Sequence, residues 1–287
     1  MDAQIIVIGG GHAGCEAALA AARSGASTLL ITLRQDGIGE LSCNPAMGGL
    51  AKGHLIRELD ALGGEIGRMT DRCTLFRHTL NRSRGPAVRG TRAQVDRPLY
   101  RTLMQGVIAA QPGLSVVEGR VSGFLCENDR CVGVELADGS VLRSDAVILT
   151  TGTFLGAICH RGEEETAGGR HGETQVDDGS ISSQLRRLGL RLQRLKTGTC
   201  PRIHRDSIDY TKLDIQHSED DTSPFSDAGD KGPAEQVNCW GVRTNEAVHD
   251  VVRQNLQRSP MYAGTLIAEG PRYCPSFEDK VARFGDR

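Results

Sequence analysis

The sequence has 287 residues, 38% of them hydrophobic, and a formal net charge of −2 at pH 7. This length allows a sizeable core and is typical of about two domains. The near-neutral charge excludes a chain that is basic throughout, so any nucleic-acid contact must come from a local patch. We find no signal-peptide pattern and no apolar run of the roughly eighteen residues that span a bilayer, and we expect a cytoplasmic protein without a membrane segment.

The pattern of the first 32 residues predicts a βαβ unit. Residues 4–8 (QIIVI) predict a buried strand, residues 14–24 an alanine-rich helix that ends at Gly25, and residues 27–32 a second strand. The second strand ends without the acidic residue that often holds a ribose hydroxyl group.

The turn of this unit reads Gly9-x-Gly11-x-x-Gly14. Such a pattern is informative only between a strand and a helix, which is the context predicted here. Its glycines allow a tight turn and let backbone amides approach a pyrophosphate at the positive end of the helix. The turn therefore predicts a dinucleotide site, and a glycine turn in a nucleotide-free α/β protein is the alternative.

Periodicity predicts the later elements. Leu55, Ile56, Leu59 and Leu62 recur at helical spacing, and a second helix is expected at residues 93–110. Its inward face is expected to carry Val95, Leu99, Leu103 and Val107. Residues 115–145 alternate with a period of two and predict three short strands, with turns at residues 127–129 and 137–139. A buried strand is expected at residues 146–150, then helices at residues 182–188 and 245–256, the second with Val248, Val251, Val252 and Leu256 inward.

This order of elements favours FAD over NAD alone as the nucleotide of the glycine turn. A dinucleotide-binding half followed by a meander and by a strand that runs into TGTF is the layout of two-dinucleotide-domain flavoproteins. We predict an α/β, FAD/NAD(P)-binding Rossmann-like fold with a β-meander and an inserted α+β domain. The FAD-binding part is expected at residues 1–198 and the inserted domain at residues 199–287.

Cys43 stands in a glycine-rich segment, GELSCNPAMGGLAKG, that is suited to close approach of the backbone to a ligand. In disulfide reductases of this class a redox cysteine has its partner five positions later. Here that position is Gly48, so Cys43 acts alone or with a cysteine distant in the sequence. The nine cysteines form no C-x-x-C pair and the eight histidines are scattered, so we expect reduced thiols and no metal site.

Residues 77–101 hold seven arginines and one acidic residue, Asp96. A phosphate-contacting surface for nucleic acid is one interpretation. A solvated helix face with ion pairs is the other. The candidate phosphate contacts are Arg84, Arg89 and Arg92.

Eight segments together resemble one family, MnmG (GidA), the FAD-dependent subunit that installs the carboxymethylaminomethyl group on the wobble uridine of tRNA. The matching segments run over nearly the whole chain: IIVIGGGHAGCEAALAAARSG, LSCNPAMGGLAKGHL, ELDALGGEIG, RGPAVRGTRAQVDR, LTTGTFL, RLKTGTCPRI, TNEAVHDVVRQNLQRSPMYAG and GPRYCPSFEDKVARF. The last is the most specific.

The resemblance implies site residues by matching position. Cys43 and Cys274 correspond to the two cysteines considered catalytic in the family. The implied FAD contacts are Gly9, Gly10, Gly11, His12, Ala13, Gly14, Val121 and Ser182. The implied NADH contacts are Gly270, Pro271, Arg272, Tyr273, Cys274, Pro275, Ser276, Phe277, Glu278, Asp279, Lys280, Val281, Ala282, Arg283 and Phe284.

The resemblance also implies the reaction and the partners. NADH reduces FAD, methylenetetrahydrofolate supplies a carbon, and the carbon is passed to the uridine. The GTPase MnmE is the implied partner, in a heterotetramer around a homodimer of the full-length protein. Because family members continue for several hundred residues beyond Arg287, we expect an N-terminal fragment. A generic FAD/NADH oxidoreductase and a non-catalytic nucleotide-binding fragment are the alternatives.

Overall fold

The computed structural model describes residues 1–172, 179–229, 232–233, 235–264 and 276–285. The strands are β1 Ile5–Ile8, β2 Thr28–Thr32, β3 Ala46–Gly48, β4 Thr74–Leu80, β5 Gly90–Val95, β6 Leu114–Glu118, β7 Val121–Glu127, β8 Arg130–Leu136, β9 Val141–Arg143, β10 Ala146–Leu149, β11 Ile158–Arg161, β12 Glu164–Ala167, β13 Asp214–Gln216 and β14 Cys239–Gly241. The helices are α1 His12–Arg23, α2 Lys52–Ala61, α3 Ile66–Cys73, α4 Arg97–Ala110, α5 Ser180–Arg187, α6 Glu246–Gln254 and α7 Phe277–Phe284.

The chain forms two compact units. The first consists of Met1–Thr153 and Ile215–Cys239, and the second of Phe154–Asp214 and Trp240–Arg287. The predicted boundary at residue 198 divides the chain by function, into an FAD-binding part and an NADH-binding part. This division stays a prediction. Within the described ranges, no helix combines the length and the apolar character that a membrane span needs.

The first unit is built on a parallel sheet with the strand order β10-β1-β2-β6. Ile5 pairs with Thr28 on one side and with Ala146 on the other. Helix α1 packs on β1 and β2, and α4 packs on α1. The buried core beneath includes Leu30 and Tyr100. The predicted βαβ opening is therefore confirmed, with α1 beginning two residues earlier than expected.

The meander is confirmed as the antiparallel sheet β7-β8-β9. Its first turn has positive φ angles at both Asn128 (49°) and Asp129 (61°), the conformation that two-residue hairpin turns favour. The sequence pattern did not separate β6 from this region. β6 instead joins the parallel sheet, pairing Thr28–Thr32 with Leu114–Glu118.

The predicted helix at residues 93–110 was wrong at its start. Residues up to Val95 belong to β5, which pairs with both β3 and β4, and α4 begins at Arg97. The Asp96 side chain caps the helix by accepting a hydrogen bond from the Leu99 amide at 3.0 Å. An Asp at the N-cap with a proline in the first turn, here Asp96 and Pro98, is a strong initiation signal, and it fixes the boundary of α4.

The prediction that Val248 and Val251 point inward was also wrong. They are 41% and 61% exposed, whereas Val252 and Leu256 are half-buried. The described buried apolar side chains of the second unit are Ile181, Leu185 and Val281. Helical spacing predicts an apolar face on a helix, but the side chains of that face are buried only if other apolar residues pack against them.

Candidate functional site

The glycine turn between β1 and α1 is packed against the end of β10. A Cβ atom on Gly9, which has φ of +106°, would lie 2.6 Å from the Thr150 carbonyl oxygen, and one on Gly14 would lie 1.7 Å from the Gly9 carbonyl oxygen. The Thr150 hydroxyl donates to the carbonyl oxygens of Ile8 and Gly9 at 2.7 and 3.1 Å. Gly9 and Gly14 are therefore required by the packing of the chain itself.

Gly11 has a different environment. Its backbone is in an ordinary region, with φ of −75° and ψ of −171°, and a Cβ atom there would meet no atom of the described residues within 4 Å. Gly11 is also the N-cap of α1, which has no side-chain cap and no acidic residue in its first turn. The described residues therefore leave the positive end of the helix open, and such an end attracts an anionic group such as a phosphate.

The other predicted members of the turn line the same segment. Gly10 is buried, and a Cβ atom there would lie 3.0 Å from Ile38 and 3.1 Å from the Thr32 hydroxyl. Ala13 is exposed in the first turn of α1. Each of the glycine-turn residues from Gly9 to Gly14 thus lies at the carboxyl ends of β1 and β2, where open α/β sheets bind ligands.

His12 is the first residue of α1, and its side chain is uncharged at neutral pH. Burial, together with the nearby Lys52 charge, lowers its pKa to about 4. Its Nδ1 atom lies 3.3 Å from the Tyr100 hydroxyl, and the two rings meet edge to face. Sequence reasoning did not identify Lys52 as a site residue. Lys52 adds positive charge near the glycine turn, and its ammonium group donates to the Ala46 carbonyl oxygen at 3.1 Å.

The loop that carries Cys43 is attached to the rest of the first unit on both sides. The Gly39 amide donates to the Gly10 carbonyl oxygen at 2.9 Å, and the Pro45 carbonyl oxygen accepts from the Val95 amide at 2.8 Å. Leu41 is buried, and Cys43 is exposed. A reagent from solution can therefore reach the Cys43 thiol on a loop bonded to the glycine turn.

Val121, the expected adenine-side contact, is buried at the start of β7. Two residues earlier the Gly119 amide donates to the Thr32 carbonyl oxygen at 2.8 Å, which holds this segment at the carboxyl end of β2. Glu118 lies there as well, paired with Thr32 in the ladder, and its carboxylate accepts from the Gln35 amide at 2.9 Å. Sequence reasoning missed Glu118, because its position at this end of the sheet depends on the pairing of β6 with β2.

The arginine-rich region is a β-hairpin rather than a helix face over most of its length. Three of its arginines form ion pairs within the first unit: Arg77 with Asp71 at 2.8 Å, Arg82 with Glu219 at 2.6 Å and Asp221 at 2.7 Å, and Arg101 with Glu40 at 3.0 Å. The ion-pair interpretation is correct for these residues.

Arg84, Arg89 and Arg92 differ from those three arginines. Arg84 and Arg89 are exposed between β4 and β5, and Arg92 is half-buried on β5. Arg89 donates to the Arg84 carbonyl oxygen at 3.1 Å. Within the part of the chain that the structure describes, no carboxylate forms an ion pair with any of the three. Their guanidinium groups are available to a phosphate-bearing ligand.

In the second unit the structure describes only part of the predicted NADH segment. Residues 270–275, including Cys274, lie outside the described residues, whereas residues 276–284 are described. Ser276 and Asp279 form a capping box at the start of α7. Burial works against ionisation of Asp279, yet the hydrogen bond and charge of Lys196, 3.0 Å away, hold its pKa below the usual value. Ser182 is half-buried in α5.

Comparison with known proteins identifies the family. A family model described as "Glucose inhibited division protein A" matches residues 4–287. The chain belongs to this family, GidA. It is 49% identical over 286 residues to the tRNA uridine 5-carboxymethylaminomethyl modification enzyme MnmG of Syntrophotalea carbinolica. That match covers 100% of this chain and 46% of the relative, so the chain spans about half of its length.

Two solved structures of Aquifex aeolicus GidA share the fold. The form I crystal structure has a TM-score of 0.91 at 41% identity, covering 100% of this chain and 49% of that chain. The form II crystal structure has a TM-score of 0.88 at 39% identity, covering 100% and 46%. The predicted fold class, α/β and Rossmann-like, is confirmed, and so is the resemblance to the GidA family.

Proposed function

We propose that this chain is the nucleotide-binding part of a flavoenzyme that modifies the wobble uridine of tRNA. The observation that carries the proposal is the environment of Gly11. Gly9 and Gly14 are needed for internal packing, but among the described residues no atom lies close enough to account for the glycine at position 11. A ligand bound at the N-terminal end of α1 would account for a glycine at this position. The name and the 49% identity of the MnmG relative support the choice of reaction.

FAD is the ligand that we assign to the glycine turn. The α1 amides would face its pyrophosphate, Val121 its adenine side, and Glu118 is a candidate for its ribose hydroxyl groups. FAD, when bound, supplies the redox chemistry for which NADH is the reductant. We assign the NADH contacts to residues 270–284. The capping box and the Lys196–Asp279 pair would hold the described part of that segment in place.

Cys43 is proposed to act on the uracil ring. Carbon 5 of uridine is a poor nucleophile until a group adds to carbon 6. A thiolate at Cys43 or Cys274 would form a bond to carbon 6, and the electron pair of the ring double bond would move toward carbon 5. Once carbon 5 carries its new substituent, it loses its proton and the sulfur leaves carbon 6. The exposure of Cys43 supports its access to a bound base.

The proposal includes the partners and the carbon source. Arg84, Arg89 and Arg92 would contact tRNA phosphates, because they lack carboxylate partners among the described residues. Methylenetetrahydrofolate would supply the transferred carbon. The MnmE GTPase and a second copy of the full-length protein would complete the assembly.

The test is a chimera in which this chain replaces the corresponding part of the Syntrophotalea carbinolica relative. We expect it to bind FAD, to oxidise NADH and to restore the modified uridine in tRNA of a strain that lacks the enzyme, as measured by mass spectrometry of nucleosides. FAD binding and NADH oxidation without tRNA modification would favour the generic oxidoreductase. FAD binding without NADH oxidation would favour the non-catalytic fragment.

A further inference from the structure

The hairpin of β7 and β8 places two cysteines opposite each other. Cys126 and Cys131 are five positions apart in the sequence, and the turn at Asn128 and Asp129 folds one strand back on the other. In the antiparallel register Cys126 is the partner of Cys131, one pair beyond the pair that flanks the turn. The sequence pattern indicates no cysteine pair here, because the spacing is not C-x-x-C.

The distances expected for such a pair suit a disulfide. Directly opposite residues in an antiparallel ladder have Cβ atoms about 4.5–5.5 Å apart, and a disulfide needs about 3.5–4.5 Å. Closing the bond therefore needs a shift of about 1 Å near a hairpin end, without any change of register. Both thiols are free, with Cys126 exposed and Cys131 half-buried.

We propose that Cys126 and Cys131 form a redox-active dithiol that closes to a disulfide by reaction with a low-molecular-weight disulfide. The more exposed Cys126 thiolate attacks one sulfur of that disulfide, forming a mixed disulfide and releasing one thiolate. The Cys131 thiolate then attacks the Cys126 sulfur and releases the second. The protein loses two protons and two electrons, and the small disulfide is reduced to two thiols.

This dithiol is separate from the proposed reaction at Cys43. Cys126 lies at the turn end of β7, and the expected FAD contact, Val121, begins that strand. Cys43 itself has no neighbouring partner thiol, because the position five residues later is Gly48. The Cys126–Cys131 proposal uses neither Cys43 nor the proposed FAD contacts, so it can be tested independently of FAD, NADH and tRNA.

The experiment uses the folded wild-type chain and glutathione disulfide as the oxidant. After incubation, free thiols are alkylated and the protein is digested with trypsin. Cleavage after Arg130 separates the two cysteines into the peptides VSGFLCENDR and CVGVELADGSVLR. We expect these peptides to be recovered as one disulfide-linked species in most molecules, and dithiothreitol to separate them.

A position-shifted double variant, Leu125→Cys with Cys126→Ser, is the matched control. It keeps the thiol number and the tryptic site, but Leu125 is paired with Gly133, so the moved thiol no longer faces Cys131. We expect at least about tenfold less linked peptide from this variant than from the wild type. Equal yields from the two proteins, or linkage in the wild type only after unfolding in urea, would overturn the proposal.

Discussion

The backbone amide of Gly39 donates a hydrogen bond to the carbonyl oxygen of Gly10 at 2.9 Å. This single bond ties the loop that carries Cys43 to the glycine turn between β1 and α1. If the turn binds a nucleotide as we propose, this bond would connect that binding to the position of the Cys43 loop. Substitutions in the glycine turn should be tested for their effect on the Cys43 loop, and substitutions in the loop for their effect on the turn.

Gly11→Val is expected to abolish FAD binding without unfolding the protein. No atom of the described residues lies within 4 Å of a Cβ atom added at Gly11, so the valine side chain would fill volume that we assign to the pyrophosphate. Affinity measured by flavin fluorescence should fall at least about tenfold, which corresponds to about 1.4 kcal/mol or more.

Gly106→Val is the matched control for Gly11→Val. Gly106 lies in α4 and is exposed, and a Cβ atom added there would also meet no atom of the described residues within 4 Å. This glycine is remote in sequence from the turn. This variant should retain FAD. Stoichiometric FAD in purified Gly11→Val protein would refute the assignment of the turn.

Gly14→Ala is expected to destabilise the fold, whereas Gly11→Ala is not. The new methyl group at position 14 would lie 1.7 Å from the Gly9 carbonyl oxygen, so the backbone must move. We expect a loss of about 1–3 kcal/mol or more in the free energy of unfolding for Gly14→Ala, and a change within about 0.5 kcal/mol for Gly11→Ala. Urea unfolding of both variants without added FAD measures the difference. Similar losses would contradict the separate roles of the two glycines.

His12 should make the stability of the chain depend on pH. Burial and the Lys52 charge lower its pKa from 6.5 to about 4. Between these values the unfolded chain takes up a proton that the folded chain does not, so the free energy of unfolding falls as the pH decreases from 6.5 to 4. The total loss is at most about 3.5 kcal/mol, since one pKa unit corresponds to about 1.4 kcal/mol.

The measurement for His12 is urea unfolding at pH 7 and at pH 5. His12→Gln, which keeps a hydrogen-bonding side chain but does not titrate, serves as the reference. The wild type should lose more stability than the variant over this interval. If both proteins lose the same amount, His12 titrates normally in the folded state.

Replacing Arg84, Arg89 and Arg92 together by alanine should weaken tRNA binding by the chimera. Each lost phosphate contact removes roughly one unit from the slope of log affinity against log salt concentration. Filter binding at several salt concentrations gives this slope. We expect it to become shallower by about 2–3 units if all three side chains contact phosphates.

A charge-matched triple variant controls for the loss of positive charge. Arg130, Arg186 and Arg187 are exposed on β8 and α5, away in sequence from the hairpin arginines. Their replacement by alanine should leave the slope nearly unchanged. The same change of slope in both triple variants would mean that tRNA responds only to net charge.

Cys43→Ser and Cys274→Ser should each retain FAD in the chimera and lose most of the modified uridine. Serine is close in size to cysteine, but its hydroxyl group does not form an anion near neutral pH as a thiol does. Cys126→Ser, another exposed cysteine, is the control and should keep full activity. Normal levels of modified wobble uridine in both the Cys43→Ser and the Cys274→Ser chimera would show that neither thiol is the nucleophile.

The parts of the fold that local patterns determine were predictable from the sequence. The apolar run QIIVI and the glycines that follow it placed β1 and the turn, and the alternating residues around Asn128 placed the meander. Both depend on residues within a few positions of each other. Asp96 also acts locally, but the run of residues 93–95 before it obscured the start of α4.

Pairings between distant residues could not be predicted from one sequence. Glu118 is the last residue of an ordinary strand, β6, and only the ladder with β2 places it beside Thr32. The partners of Arg82 are more than 130 positions away, and the facing of Cys126 and Cys131 depends on the register of the hairpin. Gly9, Gly11 and Gly14 looked alike in the motif, and only the surrounding atoms separate the two that serve packing from the one that leaves space.

The contacts of Asp71 with residues late in the chain limit how early the first unit can finish folding during synthesis. Its buried carboxylate accepts hydrogen bonds from the Phe225 and Ser226 amides at 3.1 and 2.8 Å, and the Phe225 ring lies in the core. These residues follow Asp71 by more than 150 positions. The ribosome must therefore release the whole intervening stretch before the core of the first unit closes. Until then the nascent chain exposes apolar surface, and a chaperone that binds such surface would act in that interval.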